Sequence, residues 1–116
     1  VICKPEFSFS TAEMYAKLDE KEPGSSIDTL GLIKALEYQD MQEISDRLGN
    51  CFEGVLEERS EIFAIKNRLL ALGARNACMS GSGSAVYGLF TQEDEAKAAA
   101  AELQKAYPQT WFAESV

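Results

Sequence analysis

Leu72-Gly73-Ala74-Arg75-Asn76-Ala77-Cys78-Met79-Ser80-Gly81-Ser82-Gly83-Ser84-Ala85-Val86-Tyr87-Gly88-Leu89-Phe90 is the stretch on which the reading of this chain turns. Ala74 to Met79 and Ala85 to Phe90 are short apolar runs, each the length of a strand. Between them Ser80 to Ser84 places two glycines and three serines in five residues. Such a loop turns tightly, with positive φ where needed. It also leaves backbone uncovered, so that successive N–H groups and hydroxyls can point at one anion. Two readings stand: a β-hairpin with a small-residue turn, or a backbone surface that something approaches closely. Five small residues directly after an apolar strand favour the second. Familiar motifs fail here. No Lys follows the second glycine, as a Walker A loop requires. Gly81-x-Gly83 leads into a strand rather than a helix, and Val86 stands where a dinucleotide loop has its third glycine. A nucleophile elbow fails in register and would need a histidine, which the chain lacks.

Outward from the loop, the pattern is helical on both sides. Upstream, Ser60 caps a helix with Ile62, Ile65, Leu69 and Leu72 on one face, and Gly73 takes the position after its end. Cys51 to Glu58 has helical spacing at Phe52, Val55 and Leu56 and predicts a short helix. Asp40, with Glu43 three residues on, opens another helix striped by Met41, Ile44 and Leu48, broken at Gly49-Asn50. Before it, Ser26 or Asp28 caps a helix whose Ile27, Leu30, Ile33 and Leu36 share a face. Pro23-Gly24 breaks the chain ahead of it. Ser10 and Glu13 form a capping box for a helix to Glu20 that buries Met14, Tyr15 and Leu18. Val1 to Lys4 reads as a strand stopped by Pro5. Downstream, Thr91 caps an alanine-rich helix that has Glu93, Asp94 and Glu95 in its first turn and ends at Tyr107-Pro108. Thr110 to Ala113 is a last strand. The order β-α-α-α-α-β-β-α-β predicts an α+β fold: a small, mainly antiparallel sheet with helices on one side.

Composition bounds the function. One hundred and sixteen residues, 46% hydrophobic, make a single domain with a core of its own. A net charge of −8 argues against a nucleic-acid partner, which calls for clustered Lys and Arg. Without histidine, Ser-His-Asp and Cys-His mechanisms and His-containing zinc sites are excluded within the chain. Cys3, Cys51 and Cys78 are odd in number and far apart, which fits reduced thiols in a cytoplasmic protein better than a disulfide framework. No apolar run approaches the ~20 residues of a membrane span, so no membrane partner is expected. The chain opens on Val1, already strand-like, and is expected to be a piece of a longer protein.

The loop and its flanking strands closely resemble the third motif of the GHMP small-molecule kinases. Three features single out one branch, whose members act on a cytidine-diphosphate-linked polyol. They are the form Met-Ser-Gly-Ser-Gly-Ser-Ala, the strand–proline–Ser10-Thr11-Ala12 opening, and Asn50-Cys51-Phe52-Glu53, which is similar to that branch's Asn-Asp-(Leu/Phe)-Glu. Cys51 departs by replacing an acid with a thiol, and Ala12 stands where some relatives carry proline. The resemblance spans essentially the whole chain and implies that residues 1–116 form the ferredoxin-like C-terminal lobe of a two-lobe enzyme. That enzyme would phosphorylate a small alcohol with ATP and Mg²⁺. The phosphate loop, catalytic Asp and Lys of the family belong to the other lobe. The resemblance therefore implies no catalytic residue and no metal ligand here, and no cofactor held by this chain alone. Ser80, Gly81, Ser82, Gly83 and Ser84 would shape the phosphate and substrate site. Thr11 and Tyr15 would face the substrate, with the aromatic near the cytidine end. By residue type alone Thr11 is an early-turn residue and Tyr15 a core aromatic. The partners implied are the chain's own N-terminal lobe, docking on an exposed apolar or loop face, and a small-molecule substrate. A homoserine, mevalonate or sugar kinase of the same superfamily, and a non-catalytic α+β module that binds an anion, remain alternatives.

Overall fold

Most helices here begin on a side chain that accepts an otherwise unpaired N–H. The structure, a computed structural model, describes residues 1–21 and 27–115. Ser10 accepts from the Glu13 N–H at the start of α1 (Thr11–Glu20), and Asp28 from Gly31 at α2 (Thr29–Glu37). Asp40 accepts from Glu43 at α3 (Met41–Asp46), and Ser60 from Ile62 at α4 (Glu61–Ala71). Asp28 is thus the cap of α2; the alternative Ser26 and the Pro23-Gly24 breaker lie outside the described residues. Gly73 follows α4 at φ +110°, the left-handed conformation that favours glycine. The last helix, α5 (Glu93–Gln104), begins after Gln92 with no side-chain cap; Thr91 sits one residue too early to serve. Three acids in its first turn complement the helix dipole instead. Cys51–Val55 forms a 3₁₀ turn, not the α-helix its spacing suggested. Phe52 and Val55 are three apart, and a 3₁₀ turn stacks i on i+3 as readily as an α-helix does.

Four short strands make the sheet: β1 (Ile2–Cys3), β2 (Asn76–Met79), β3 (Val86–Leu89) and β4 (Thr110–Trp111). Their order is β2-β3-β1-β4, every neighbour antiparallel. This is the split βαβ arrangement of ferredoxin-like folds. Period-two alternation sends Val1, Cys3, Ala77, Met79 and Val86 to one face, where they share a core with α4, α5, Met14 of α1 and Phe52. Ile62, Ile65 and Leu69 are wholly buried there. Gly88 lets α4 approach the sheet, because a Cβ on it would lie 3.1 Å from Leu69 Cδ2. The alanines of α5 do the same from the other helix, with Ala96, Ala99 and Ala100 buried.

The α2–α3 pair stands outside that core. Leu30, Ile33 and Leu36 are 74%, 45% and 54% exposed, and Ala35 is the buried residue of α2. The pair is tied to the sheet where Asn76 Nδ2 donates to the Ser45 carbonyl, and to itself by Arg47, which bridges Asp28 and Glu43. The expected apolar stripe of α2 exists, and it faces solvent in this chain. Tyr15, expected in the core of α1, is exposed as well.

Candidate functional site

The Ser80–Ser84 loop is closed by its own backbone. Ser80 N–H donates to the Ala85 carbonyl at 2.8 Å, and Gly83 N–H to the Ser80 carbonyl at 3.0 Å. Gly81 and Gly83 both have positive φ, +55° and +91°. Their surroundings differ. A Cβ on Gly83 would meet Phe9 Cδ2 at 2.5 Å and Met79 Sδ at 2.9 Å, whereas one on Gly81 would have nothing within 4 Å. Gly83 is therefore needed for close packing within the molecule, and Gly81 borders open space. The serines divide in the same way. Ser84 is buried and donates its hydroxyl to the Phe7 carbonyl, while Ser80 is exposed and Ser82 half-buried. The N–H groups of Gly81 and Ser82 donate to no other described residue. The outward half of the loop thus presents two free N–H groups and two hydroxyls to an anion.

The structure brings Thr11 to this loop. Its Oγ1 lies 3.0 Å from Ser82 Oγ, joining the first turn of α1 to the turn 71 residues away. Tyr15, one helical turn on, sets its ring edge-on to Phe52 with centroids 5.0 Å apart. It remains 54% exposed. Thr11 thus meets the loop at Ser82, and Tyr15 follows it one turn along α1. Gly83 and Ser84 support the loop from within.

Two further residues hold the loop, and sequence reasoning noted them without assigning a role. Asn50 Oδ1 accepts from the Phe52 N–H at 2.9 Å. Its Nδ2 donates to the Met79 carbonyl at 2.6 Å and the Gly81 carbonyl at 2.7 Å. One amide therefore ties a 3₁₀ cap to both ends of the loop's first turn. Glu53 accepts from the Met79 N–H at 3.3 Å and from Cys78 Sγ at 3.2 Å, and pairs with Lys66 of α4. The signal in the sequence was an Asn at a helix start with a second donor to spare. Its partners, about 30 residues on, could not be read from spacing.

Cys78 and Tyr87 face each other across β2 and β3, next to the loop. Burial, reinforced by Glu53, pushes the Cys78 thiol up to about 12, and burial pushes the neighbouring Tyr87 hydroxyl up to about 12. Both stay protonated at neutral pH, so neither offers a thiolate or phenolate. Among the described residues no group of three carboxylate, Cys or His side chains could hold a metal ion. No helix among them is long and apolar enough to cross a membrane.

Comparison with known proteins agrees with this geometry. The family model "GHMP kinases C terminal" matches residues 32–109. A protein named 4-diphosphocytidyl-2-C-methyl-D-erythritol kinase from Syntrophomonas wolfei is 36% identical over 116 residues, covering 99% of this chain and 41% of the relative. A protein of the same name from Moorella thermoacetica is 39% identical over 114 residues, covering 95% of this chain and 40% of the relative. The crystal structure of a 4-(cytidine 5'-diphospho)-2C-methyl-D-erythritol kinase superposes with a TM-score of 0.73 at 28% identity, over 95% of this chain and 40% of that one. The chain thus spans well under half the length of the curated relatives it matches. With the split-βαβ sheet, the glycine–serine hairpin and the family match all in agreement, this chain belongs to the GHMP kinase C-terminal family.

Proposed function

We propose that residues 1–116 are the C-terminal lobe of a 4-diphosphocytidyl-2-C-methyl-D-erythritol kinase. The whole protein would transfer the γ-phosphoryl of ATP, with Mg²⁺, to the 2-hydroxyl of that substrate, a step of the non-mevalonate route to isoprenoids, in the cytoplasm. The observation that carries the reading is the outward half of the loop. Gly81 and Ser82 hold unpaired N–H groups beside the Ser80 and Ser82 hydroxyls, against Thr11 and the open face of Tyr15. Phosphoryl transfer asks a protein mostly for positioning and for donors aimed at the phosphate oxygens. ATP supplies the group transferred, and the free donors suit its anionic oxygens. The described residues supply no ligand cluster for Mg²⁺. Tyr15 would stack on the cytosine ring, Thr11 would donate or accept beside it, and Asn50 would keep the Gly81 carbonyl turned away from the incoming phosphate. The general base and the Lys that steadies the phosphates belong to the N-terminal lobe. The isolated chain is accordingly inactive.

The test is direct. Full-length protein with Mg²⁺-ATP and 4-diphosphocytidyl-2-C-methyl-D-erythritol should form ADP and the 2-phosphate, followed by ³¹P NMR, and residues 1–116 alone should form none. Turnover by the chain alone would overturn the two-lobe reading. Turnover by the full protein of homoserine, mevalonate or a sugar, but not of the cytidine substrate, would keep the kinase and replace its substrate.

A further inference from the structure

Strand β2 is an edge of the sheet, with β3 on one side and no other described strand beyond it. The Ser80 N–H bonds the Ala85 carbonyl, so by alternation Met79, opposite Val86, turns its own N–H and carbonyl to the open side. Backbone groups at an edge need partners from elsewhere. Two side chains at one 3₁₀ turn supply both. Asn50 Nδ2 donates to the Met79 carbonyl at 2.6 Å, and Glu53 Oε2 accepts from the Met79 N–H at 3.3 Å. The same oxygen accepts from Cys78 Sγ at 3.2 Å, while Oε1 pairs with Lys66 of α4. Only 12% of the Glu53 side chain and 24% of the Lys66 side chain are exposed. A sheltered ion pair is a costly way to satisfy one N–H. What it adds is an anchor, because Lys66 lies on the helix whose Ile62, Ile65 and Leu69 are wholly buried.

We propose that Glu53, anchored by Lys66, is a positioning residue for ATP: it fixes the point at which the chain leaves β2, and with it the aim of the free Gly81 and Ser82 N–H groups at the phosphate oxygens. The inference rests on the reading of the Ser80–Ser84 loop as the phosphate-facing element of a kinase. Glu53 acts through Met79 and not on the reacting atoms. It divides the work with Asn50 by chemistry. Asn50 holds two acceptors, the Met79 and Gly81 carbonyls, and Glu53 holds a donor. With both groups of Met79 gripped, the end of β2 cannot roll about its own axis. A roll there would swing the Gly81 N–H, two residues on. Donors stabilise a developing charge best when they are fixed in advance, and a displacement of about 1 Å can cost about a hundredfold in rate.

Variants of the full-length enzyme test this. Glu53→Leu removes the acceptor and the charge. It should raise the KM for ATP by about fivefold or more and lower kcat, while the KM for the cytidine-linked substrate moves by less than about twofold. A mere loss of folded molecules lowers kcat alone and leaves both KM values in place. Glu53→Gln keeps an acceptor for the Met79 N–H and should recover most of the lost ATP affinity. Amide exchange at Gly81 and Ser82 should quicken in Glu53→Leu and slow again in Glu53→Gln. Lys66→Met leaves the bonds of Glu53 to β2 and removes their anchor. It should raise the KM for ATP by about twofold or more, and it carries the test if Glu53→Leu does not fold. An unchanged KM for ATP in folded Glu53→Leu or in Lys66→Met overturns the proposal. So does unchanged exchange at Gly81 and Ser82, a KM rise confined to the cytidine-linked substrate, or a Gln variant as impaired as the Leu variant. No turnover by the unmodified protein overturns the kinase reading instead, and the exchange at Gly81 and Ser82, which needs no substrate, still reports whether Glu53 holds the loop.

Discussion

Helices α2 and α4 each carry an apolar stripe, and the two stripes end in opposite environments. In α4, Ile62, Ile65 and Leu69 vanish into the core, while in α2, Leu30, Ile33 and Leu36 look outward. The difference lies in what each helix lands on. α4 meets the sheet through Gly88, where the absent side chain admits Leu69. α2 lands chiefly on α3, which has only six residues and offers little surface. Periodicity therefore states which face of a helix is apolar, and burial depends on whether a surface is present to receive it. The two glycines of the loop repeat the contrast at the scale of one residue: Gly83 is packed, Gly81 is open.

The comparison can be strained at several points, the largest effect coming first. Leu69→Ala should cost about 2–5 kcal/mol, because a fully buried leucine leaves a cavity. The loss reads directly in urea unfolding followed by the fluorescence of Trp111, the chain's only tryptophan. Gly83→Ala should come next, at about 2–4 kcal/mol, combining overlap with Phe9 and Met79 and a positive φ. Gly81→Ala pays the backbone term alone, about 1–2 kcal/mol. Its methyl enters the open space, so in the full-length enzyme kcat/KM should fall by about tenfold or more while the fold persists. If the two alanines cost the same stability, the inward–outward division of the loop is wrong.

Asn50→Asp sharpens the contrast from the side of the clamp. Oδ1 still caps Phe52, but a carboxylate replaces the donor that faced two carbonyls. A loss of about 1–3 kcal/mol is expected, together with faster amide exchange at Gly81 and Ser82. Unchanged exchange there would show that the loop holds its shape without Asn50.

Alkaline pH tests Cys78 and Tyr87, paired across β2 and β3. Cys78 and Tyr87 both titrate near 12 in the folded protein, against 9.0 and 10.0 as free groups. Each is raised, so the stability it contributes is complete below about pH 9 and is lost as pH climbs towards 12, where the unfolded chain ionises first. Tm should fall over that window, and Cys78→Ala should flatten the fall. At pH 8 an alkylating reagent should label exposed Cys51 and spare Cys78. The smallest effect belongs to α2: Leu30→Ala in this chain should shift stability by less than about 0.5 kcal/mol. A shift like that of Leu69→Ala would mean that α2 is packed after all.

Much of this architecture was legible because it is local. Ser10, Asp40 and Ser60 each cap the helix they appeared to cap, and Asp28 is one of the two caps the sequence offered for α2, since a cap bonds two or three residues ahead. That the loop could take positive φ was legible in its composition, and Gly81 and Gly83 are where it does. The exposure of Leu30 was hidden, because an apolar stripe looks the same whether or not something covers it. The inward turn of the Ser84 hydroxyl was hidden too, since its partner at Phe7 lies 77 residues away. Thr91 failed as a cap by one residue, the usual scale of error at a helix end. Of the site, the loop and Thr11 were named from the sequence. The grip of Asn50 on the loop needed coordinates, because it spans segments with no periodic relation.

Three contacts stitch the segment entering α1 to the hairpin in step: Phe7 with Ser84, Phe9 with Gly83, and Thr11 with Ser82. As residue numbers rise on one side they fall on the other, like a short zipper. The helix bearing Tyr15 and the loop bearing the free donors therefore cannot swing apart without breaking all three teeth. Any closing motion around a ligand must carry them as one rigid jaw, with its hinge elsewhere. The separation between Tyr15 and the outward turn of the loop is thereby held fixed, as on a ruler with no moving part.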